Sequence, residues 1–241
     1  MSQNTTDTFF DGALSVMQSR AGYRFSIDAI LLASALEPKA GQTVVDLGTG
    51  CGIIPMILAY RHPDIRLYGV EIQRDLVELA RANAAQNRMT DRIHIVPADI
   101  RQLTTGQVDG PVDLVVCNPP YHRSRSGRLN PNPQRAIARH EIHLNLEQLL
   151  TSVRRILRTG GRFATIFPAE RMVDLFSGMR SEGIEPKRMR SIYSRRTEGA
   201  KLILSQGVMR GNPGLTVDPP LVIYKDDGTY TDEVQKMMGD R

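Results

Sequence analysis

Thr43-Val44-Val45-Asp46-Leu47-Gly48-Thr49-Gly50-Cys51-Gly52 is the stretch that decides the fold. Residues of strand character open into a run in which every second residue is glycine. An apolar segment of helical character, Ile53 to Tyr60, follows, and Pro55 fits its first turn, where no intrahelical N–H is needed. Glycine adopts positive φ without penalty and lets a ligand approach the backbone. The same alternation continues downstream. Ile65 to Val70 is a strand ending in Glu71, and Gln73 to Gln86 is a helix with Leu76, Leu79 and Ala80 on one face and Val77 beside them. Ile93 to Val96 is a third strand, followed by Ala98-Asp99-Ile100, and Val112 to Val116 is a fourth, which runs into Cys117-Asn118-Pro119-Pro120-Tyr121. Strands alternating with helices specify parallel βαβ units.

In open parallel sheets, ligands bind at the carboxyl ends of the strands, and the charged and polar residues gather there. The GxGxG spacing differs from the GxGxxG that receives a pyrophosphate at a helix N-terminus. Asp46 puts a negative group in the mouth of the turn, which suits a cationic ligand better than a phosphate. Glu71 lies 21 residues after Gly50 and can take both hydroxyls of a ribose. Asp99 could accept from an adenine amino group. Each acid also has an ordinary use: Asp46 as a turn cap, Glu71 as a helix cap, Asp99 as a surface acid.

Asn118-Pro119-Pro120 ends the fourth strand in a stiff corner, because each proline fixes its own φ and drives the residue before it out of the helical region. Such a corner can hold a planar amine. The Asn118 side chain and the Pro119 carbonyl would accept its two N–H groups, and Tyr121 would stack on the ring, a contact worth about 1–3 kcal/mol. The alternative is a structural Pro-Pro turn with an ordinary turn asparagine.

The chain has 241 residues, 41% of them hydrophobic, no Trp, and two cysteines inside the motif segments, Cys51 and Cys117. That bounds it to one large aliphatic core, or one core with an appendage, in a reducing compartment. The first twenty residues lack the apolar stretch of a signal peptide, and the apolar patch Ala29 to Leu36 is too short to span a membrane. The expected location is cytoplasmic. Neither the cysteines nor the five histidines show metal-ligand spacing, so no metal is expected.

The net charge of +5 is unevenly spread. Residues 122 to 201 hold 17 Lys and Arg against 7 Asp and Glu, a balance of +10, which leaves −5 for the remainder. A basic half suggests a polyanionic partner, with a solvated surface as the alternative. The segment from His122 to His140 carries Arg123, Arg125, Arg128, Arg135 and Arg139 and no acid. A connection this long is expected to be functional and mobile in the free protein.

Elsewhere, residues 1–11 are polar and expected to fray, and Gly12 to Gln18 reads as a short strand. Ser26 is placed to cap a helix from Ile27 to Leu36. Leu146 to Leu157 is a helix closed by Gly160-Gly161, Arg162 to Phe167 a strand and Ala169 to Ser181 a helix. Lys187 to Tyr193 and Leu202 to Met209 are strands, Leu221 to Tyr224 a small extra one, and Thr231 or Asp232 caps a last helix to Met238.

Over about residues 21–210 the sequence resembles the class I S-adenosylmethionine-dependent methyltransferases. Asn118-Pro119-Pro120-Tyr121 resembles their amino-methylating branch, which acts on adenine, guanine or glutamine nitrogens. The run Gln18 to Ala33, with Ala138-Arg139-His140-Glu141, resembles the tRNA adenine N6-methyltransferases that act on valine tRNA at the purine 3′ of the anticodon. The resemblance implies a Rossmann-like α/β fold with a seven-stranded, mostly parallel sheet and helices on both faces. It implies an amino-terminal cap over 1–40, a catalytic domain over 41–210 and an extension over 211–241 packed on that domain. S-adenosylmethionine is the implied cofactor. Asp46, Gly48, Gly50 and Gly52 would hold its methionine part, Glu71 with Ile72 the ribose, and Asp99 with Ile100 the adenine. Tyr23 and Arg24 would lie against the cofactor from the amino-terminal side. Asn118, Pro119 and Tyr121 would hold the target base, and Arg123, Arg125, Arg128, Arg135 and Arg139 the RNA phosphates. The rival readings are a protein glutamine N5-methyltransferase, a ribosomal RNA guanine N2-methyltransferase, and a non-enzymatic scaffold with this fold.

Overall fold

A computed structural model describes residues 4–19, 26–119 and 145–239. Its centre is a nine-stranded sheet in which the strands alternate their side chains between two cores. On β3 (Thr43–Leu47), Val44 enters one core while Val45 and Leu47 enter the other. On β6 (Val112–Cys117), Leu114 and Val116 face the first core, and Val115 and Cys117 the second. Both faces are covered, so these strands are apolar apart from Thr43, Asp46 and Asp113.

β3 pairs in parallel with β4 (Arg66–Glu71) on one side and with β6 on the other. β4 pairs with β5 (Ile93–Pro97), and β6 with β7 (Leu157–Pro168). β9 (Leu202–Met209) lies antiparallel between β7 and β8 (Ile184–Tyr193). These are the seven long strands expected. Two short ones, β10 (Thr216–Val217) and β11 (Leu221–Val222), add to β8 in parallel.

The helices α1 (Ile27–Ser34) and α2 (Ile53–Arg61) contribute to the first core, together with the carboxyl end of α3 (Arg74–Gln86). The helices α4 (Leu146–Ile156) and α5 (Met172–Ser181) cover the second. The last helix, α6 (Asp232–Met238), buries Val234 in the first core, and its Met237 carbonyl accepts from Ser34 Oγ and Arg61 Nη2. No helix among the described residues is long and apolar enough to cross a membrane.

Several expectations need correction. Residues 4–9 do not fray: β1 (Asn4–Phe9) pairs antiparallel with β2 (Leu14–Ser19), and Leu14 and Val16 are wholly buried. Apolar burial by β2 offsets the ordering cost that the polar β1 could not meet alone. Gly160-Gly161 does not close α4. The chain enters β7 at Leu157, and the two glycines form an irregularity inside it, where Gly160 has φ 73° and a Cβ on Gly161 would meet Leu157 Cδ1 at 2.7 Å. The buried stripe of α3 is Val77, Ala80, Asn83 and Ala84, with Leu76 and Leu79 only partly covered. The helix expected from Ala169 begins as a 3-10 turn, Ala169–Arg171, and α1 stops at Ser34. Tyr23, Arg24, Tyr121 and the whole 122–140 segment, with its expected mobility, lie outside the described residues.

Candidate active site at the carboxyl edge of the sheet

Register fixes which residues meet at the sheet edge. Leu47, the last residue of β3, is level with Val70 on β4 and Cys117 on β6, and Glu71 is level with Pro97 on β5. Asn118, the glycine turn, Glu71 and Asp99 therefore emerge side by side in the order β6, β3, β4, β5. Three strand steps span about 14 Å. The chain order of the strands reverses between β3 and β6, the place where open parallel sheets leave a crevice.

The glycine turn is stitched inward. Gly48 and Thr49 donate their N–H groups to the Val70 carbonyl, at 2.9 and 3.0 Å. Gly50 donates to Glu71 Oε2 at 3.0 Å, and Gly52 to the Thr49 carbonyl at 3.0 Å. Gly48, Gly50 and Gly52 all have positive φ, which explains the alternating glycines. With these amides committed, the turn is not a phosphate cradle, which needs them free. Among the described residues a Cβ on Gly48 would meet nothing within 4 Å.

Asp46 sits beneath the turn, 1% exposed. Among the described residues neither of its carboxylate oxygens has a hydrogen-bond partner, nor does Thr49 Oγ1, although the Thr49 hydroxyl lies near enough to oppose protonation. Burial pushes the Asp46 carboxyl up to about 7, with a smaller contribution from the Glu71 charge. A buried carboxylate without partners is costly, and a cationic ligand would relieve that cost.

Glu71, 5% exposed, is both a clamp and a cap. Its Oε2 accepts from Gly50, and its Oε1 accepts from the Ile72 and Gln73 amides at 3.0 and 2.9 Å. Burial raises its carboxyl, and these backbone donors oppose the rise. Ile72 stands 43% exposed beside it, an apolar surface at the rim. Asp99 caps the 3-10 turn Ile100–Gln102 through the Arg101 amide and pairs with the Arg101 guanidinium at 2.6 Å, which holds its carboxyl below the usual range. Both oxygens of Asp99 thus already have donors. Asn118 and Pro119 follow β6 at the rim, half-buried. Cys117, beneath them, donates from Sγ to the Leu47 carbonyl at 3.2 Å. Burial pushes both thiols up, Cys51 to about 11, and both are free, as small apolar residues would be.

The sequence reading missed two parts of this site. Gly69, on β4 opposite Asp46, has no room for a side chain: a Cβ there would lie 2.9 Å from both Thr49 Cγ2 and Thr49 Oγ1. Asn83 on α3 is wholly buried and donates to the Cys51 carbonyl at 2.9 Å. The basic half is also less available than its composition suggests. Arg154, Arg158, Arg180, Arg188 and Arg190 are paired with Glu182, Asp113, Glu185, Asp218 and Glu233. Arg155, Arg162 and Arg195 donate to backbone carbonyls. The sequence from His122 to His140 adds five arginines and no acid. No cluster of metal-ligating side chains occurs among the described residues.

A parallel-dominated α/β sheet carrying a glycine turn and a strand-end glutamate, with Asn118-Pro119 at the end of the neighbouring strand, defines a class I methyltransferase. The chain belongs to the methyltransferase small domain family, whose model matches residues 23–173. It is 39% identical over 176 residues to a Porphyromonas gingivalis protein named tRNA1(Val) (adenine(37)-N6)-methyltransferase, covering 70% of this chain and 68% of that one. A protein of the same name from Aeromonas hydrophila is 29% identical over 96% of this chain and 94% of its own. Among solved structures, a protein from Agrobacterium tumefaciens described as a predicted O-methyltransferase superposes with a TM-score of 0.70 at 20% identity, over 89% of this chain and 98% of that one. At that identity the likeness concerns the fold.

Proposed function

We infer that the protein transfers the methyl group of S-adenosylmethionine to the exocyclic N6 amine of an adenine in tRNA, beside the anticodon. The observation that carries this reading is the order of groups along the sheet edge: Asn118, the glycine turn with Asp46, Glu71, then Asp99. That order suits, from one end to the other, a target amine, the methionine part of the donor, its ribose and its adenine. The name shared by the relatives supports tRNA adenine as the acceptor.

The fit to the donor rests on Asp46. Its buried carboxylate, without a partner among the described residues, lies beside a turn whose amides are already bonded, which suits positive charge and not phosphate. When bound, the donor supplies a methyl group on a positively charged sulfur. Glu71 keeps acceptor capacity for ribose hydroxyls because a carboxylate offers about four lone-pair sites, and three backbone amides use part of them. Asp99 would meet an adenine amino group with its charge already shared with Arg101. Ile72 and Ile100 supply apolar walls at the rim.

On the acceptor side, the Asn118 side chain and the Pro119 carbonyl accept the two N–H groups of the target amine, and Tyr121 fixes the plane of its ring. Together they aim a weakly nucleophilic nitrogen, so the gain comes from orientation and fixed polarity. A purine in a loop is already partly unstacked and costs less to extrude than one in a duplex. Arg123, Arg125, Arg128, Arg135 and Arg139 hold flanking phosphates, and Tyr23 and Arg24 lie against the donor. A tRNA substrate implies a cytoplasmic location. The test is a labelled-methyl assay on total tRNA, ribosomal RNA and release factor. Label in tRNA adenine supports the reading, and label in ribosomal guanine or in a protein glutamine overturns it.

A further inference from the structure

The amino-terminal hairpin is fastened to α3 by two asparagines one helical turn apart. β2 pairs with β1 along one edge only. On its other edge Ser15 donates its N–H to Asn87 Oδ1 at 2.9 Å, and Asn87 Nδ2 donates back to the Ser15 carbonyl at 2.8 Å. Met17 and Asn83 repeat the exchange, at 2.8 and 3.0 Å. Four residues of helix rise about 6 Å and two residues of strand about 6.8 Å, so the spacings agree. The two carboxamides stand in for the neighbouring strand that β2 lacks.

Asn87 Nδ2 also donates to the Asn83 carbonyl at 2.8 Å and to Met56 Sδ on α2 at 3.4 Å, but only Asn83 reaches the glycine turn. Its amide also donates to the Cys51 carbonyl inside the glycine turn, at 2.9 Å. It is 0% exposed, and its oxygen and both amide hydrogens are engaged. Asn83 thus ties three segments far apart in the chain: the hairpin, α3 and the turn between β3 and α2. Removing it leaves the Cys51 carbonyl and the Met17 peptide unsatisfied in a buried place, and the turn can then relax.

We propose that Asn83 is a positioning residue for the donor-binding turn, holding the Cys51 peptide in register with the docked hairpin so that Gly50 to Gly52 keep the shape the donor needs. The proposal rests on the reading of that turn as the S-adenosylmethionine site. Asn87 is the internal control, since it fastens the same hairpin without touching the turn.

The test compares Asn83→Ala and Asn87→Ala in the full chain. Each is titrated with S-adenosylmethionine by calorimetry and with tRNA by a binding assay, beside chemical denaturation. Both variants lose stability. Asn83→Ala alone weakens donor binding, by about tenfold or more, while its tRNA affinity matches that of Asn87→Ala. Equal donor affinity in the two variants overturns the positioning role. Absence of donor binding by the unmodified protein overturns instead the reading of the turn beneath it. If Asn83→Ala does not fold, Asn83→Asp is compared in the same way: it keeps the acceptor for Met17 and loses at least one of the two donors.

Discussion

Glu71 Oε2 accepts the Gly50 amide at 3.0 Å, so the residue proposed to hold the ribose also fixes the glycine turn beside it. With Oε1 on the Ile72 and Gln73 amides, the same side chain sets the start of α3. In the proposed function, ligand binding and local folding share one buried carboxylate.

Glu71→Gln tests that sharing. The amide NH2 must face at least one backbone donor, which leaves a buried N–H unsatisfied. The expected cost is about 1–3 kcal/mol of stability, read by chemical denaturation. Donor affinity falls by about tenfold or more, read by calorimetry. Unchanged stability contradicts the clamp.

In the proposed function, Asp46 gives the donor site a pH dependence. Its carboxyl titrates at about 7 when folded and near 3.8 when unfolded. The folded state therefore binds the extra proton between those values, and the contribution of Asp46 to stability falls as pH rises through that window and levels above it. Attraction for a cationic donor moves the opposite way: it is weak below about 7, where Asp46 is neutral, and rises toward a plateau above. Calorimetry between about pH 6 and about pH 8 should show the rise. Asp46→Asn should flatten it and make the free protein more stable at the alkaline end.

Gly69→Ala probes the floor of the turn. The added methyl would stand 2.9 Å from both branches of Thr49 and 3.0 Å from Ile95 Cδ1. Thr49 must shift, and the turn with it. Overpacking of this kind costs about 1–3 kcal/mol, and donor binding should fall with it. Thr49→Ser in the same background, by removing the Cγ2 clash, should recover part of both losses, as measured by melting and calorimetry.

Binding to RNA should weaken steeply with salt. Five phosphate contacts on a single strand give a log–log slope of about −3.5. Replacing Arg123, Arg125, Arg128, Arg135 and Arg139 by Gln should remove most of that slope while donor affinity stays level. A slope unchanged in that variant places the RNA contacts elsewhere.

The edge of the sheet was legible because strand-end rules are local. Asp46 and Glu71 lie at the ends of strands that the sequence announces, Gly48, Gly50, Gly52, Asp99 and Asn118 follow such strands, and parallel pairing brings them together. What escaped depended on distant partners. Asn83 lies in the middle of a helix, and its bonds reach 32 and 66 residues away, beyond any periodicity. Gly69 looks like a weak point in a strand until Thr49 is seen folded over it. Residues 4–9 have no apolar pattern of their own and are ordered through a neighbour that α3 holds. Charge counting overstated the basic half because composition does not show which arginines are already paired.

The central claim concerns which nitrogen receives the methyl and which residue presents it. The most direct measurement is nucleoside mass spectrometry, with position mapping, of valine tRNA incubated with S-adenosylmethionine and either the unmodified protein or Asn118→Ala. The account predicts N6-methyladenosine beside the anticodon with the unmodified protein. It predicts a turnover lower by about a hundredfold or more with the variant, whose donor affinity is intact. A donor-binding protein that leaves this adenine unmethylated, or an Asn118→Ala variant that turns over at the same rate, would contradict it.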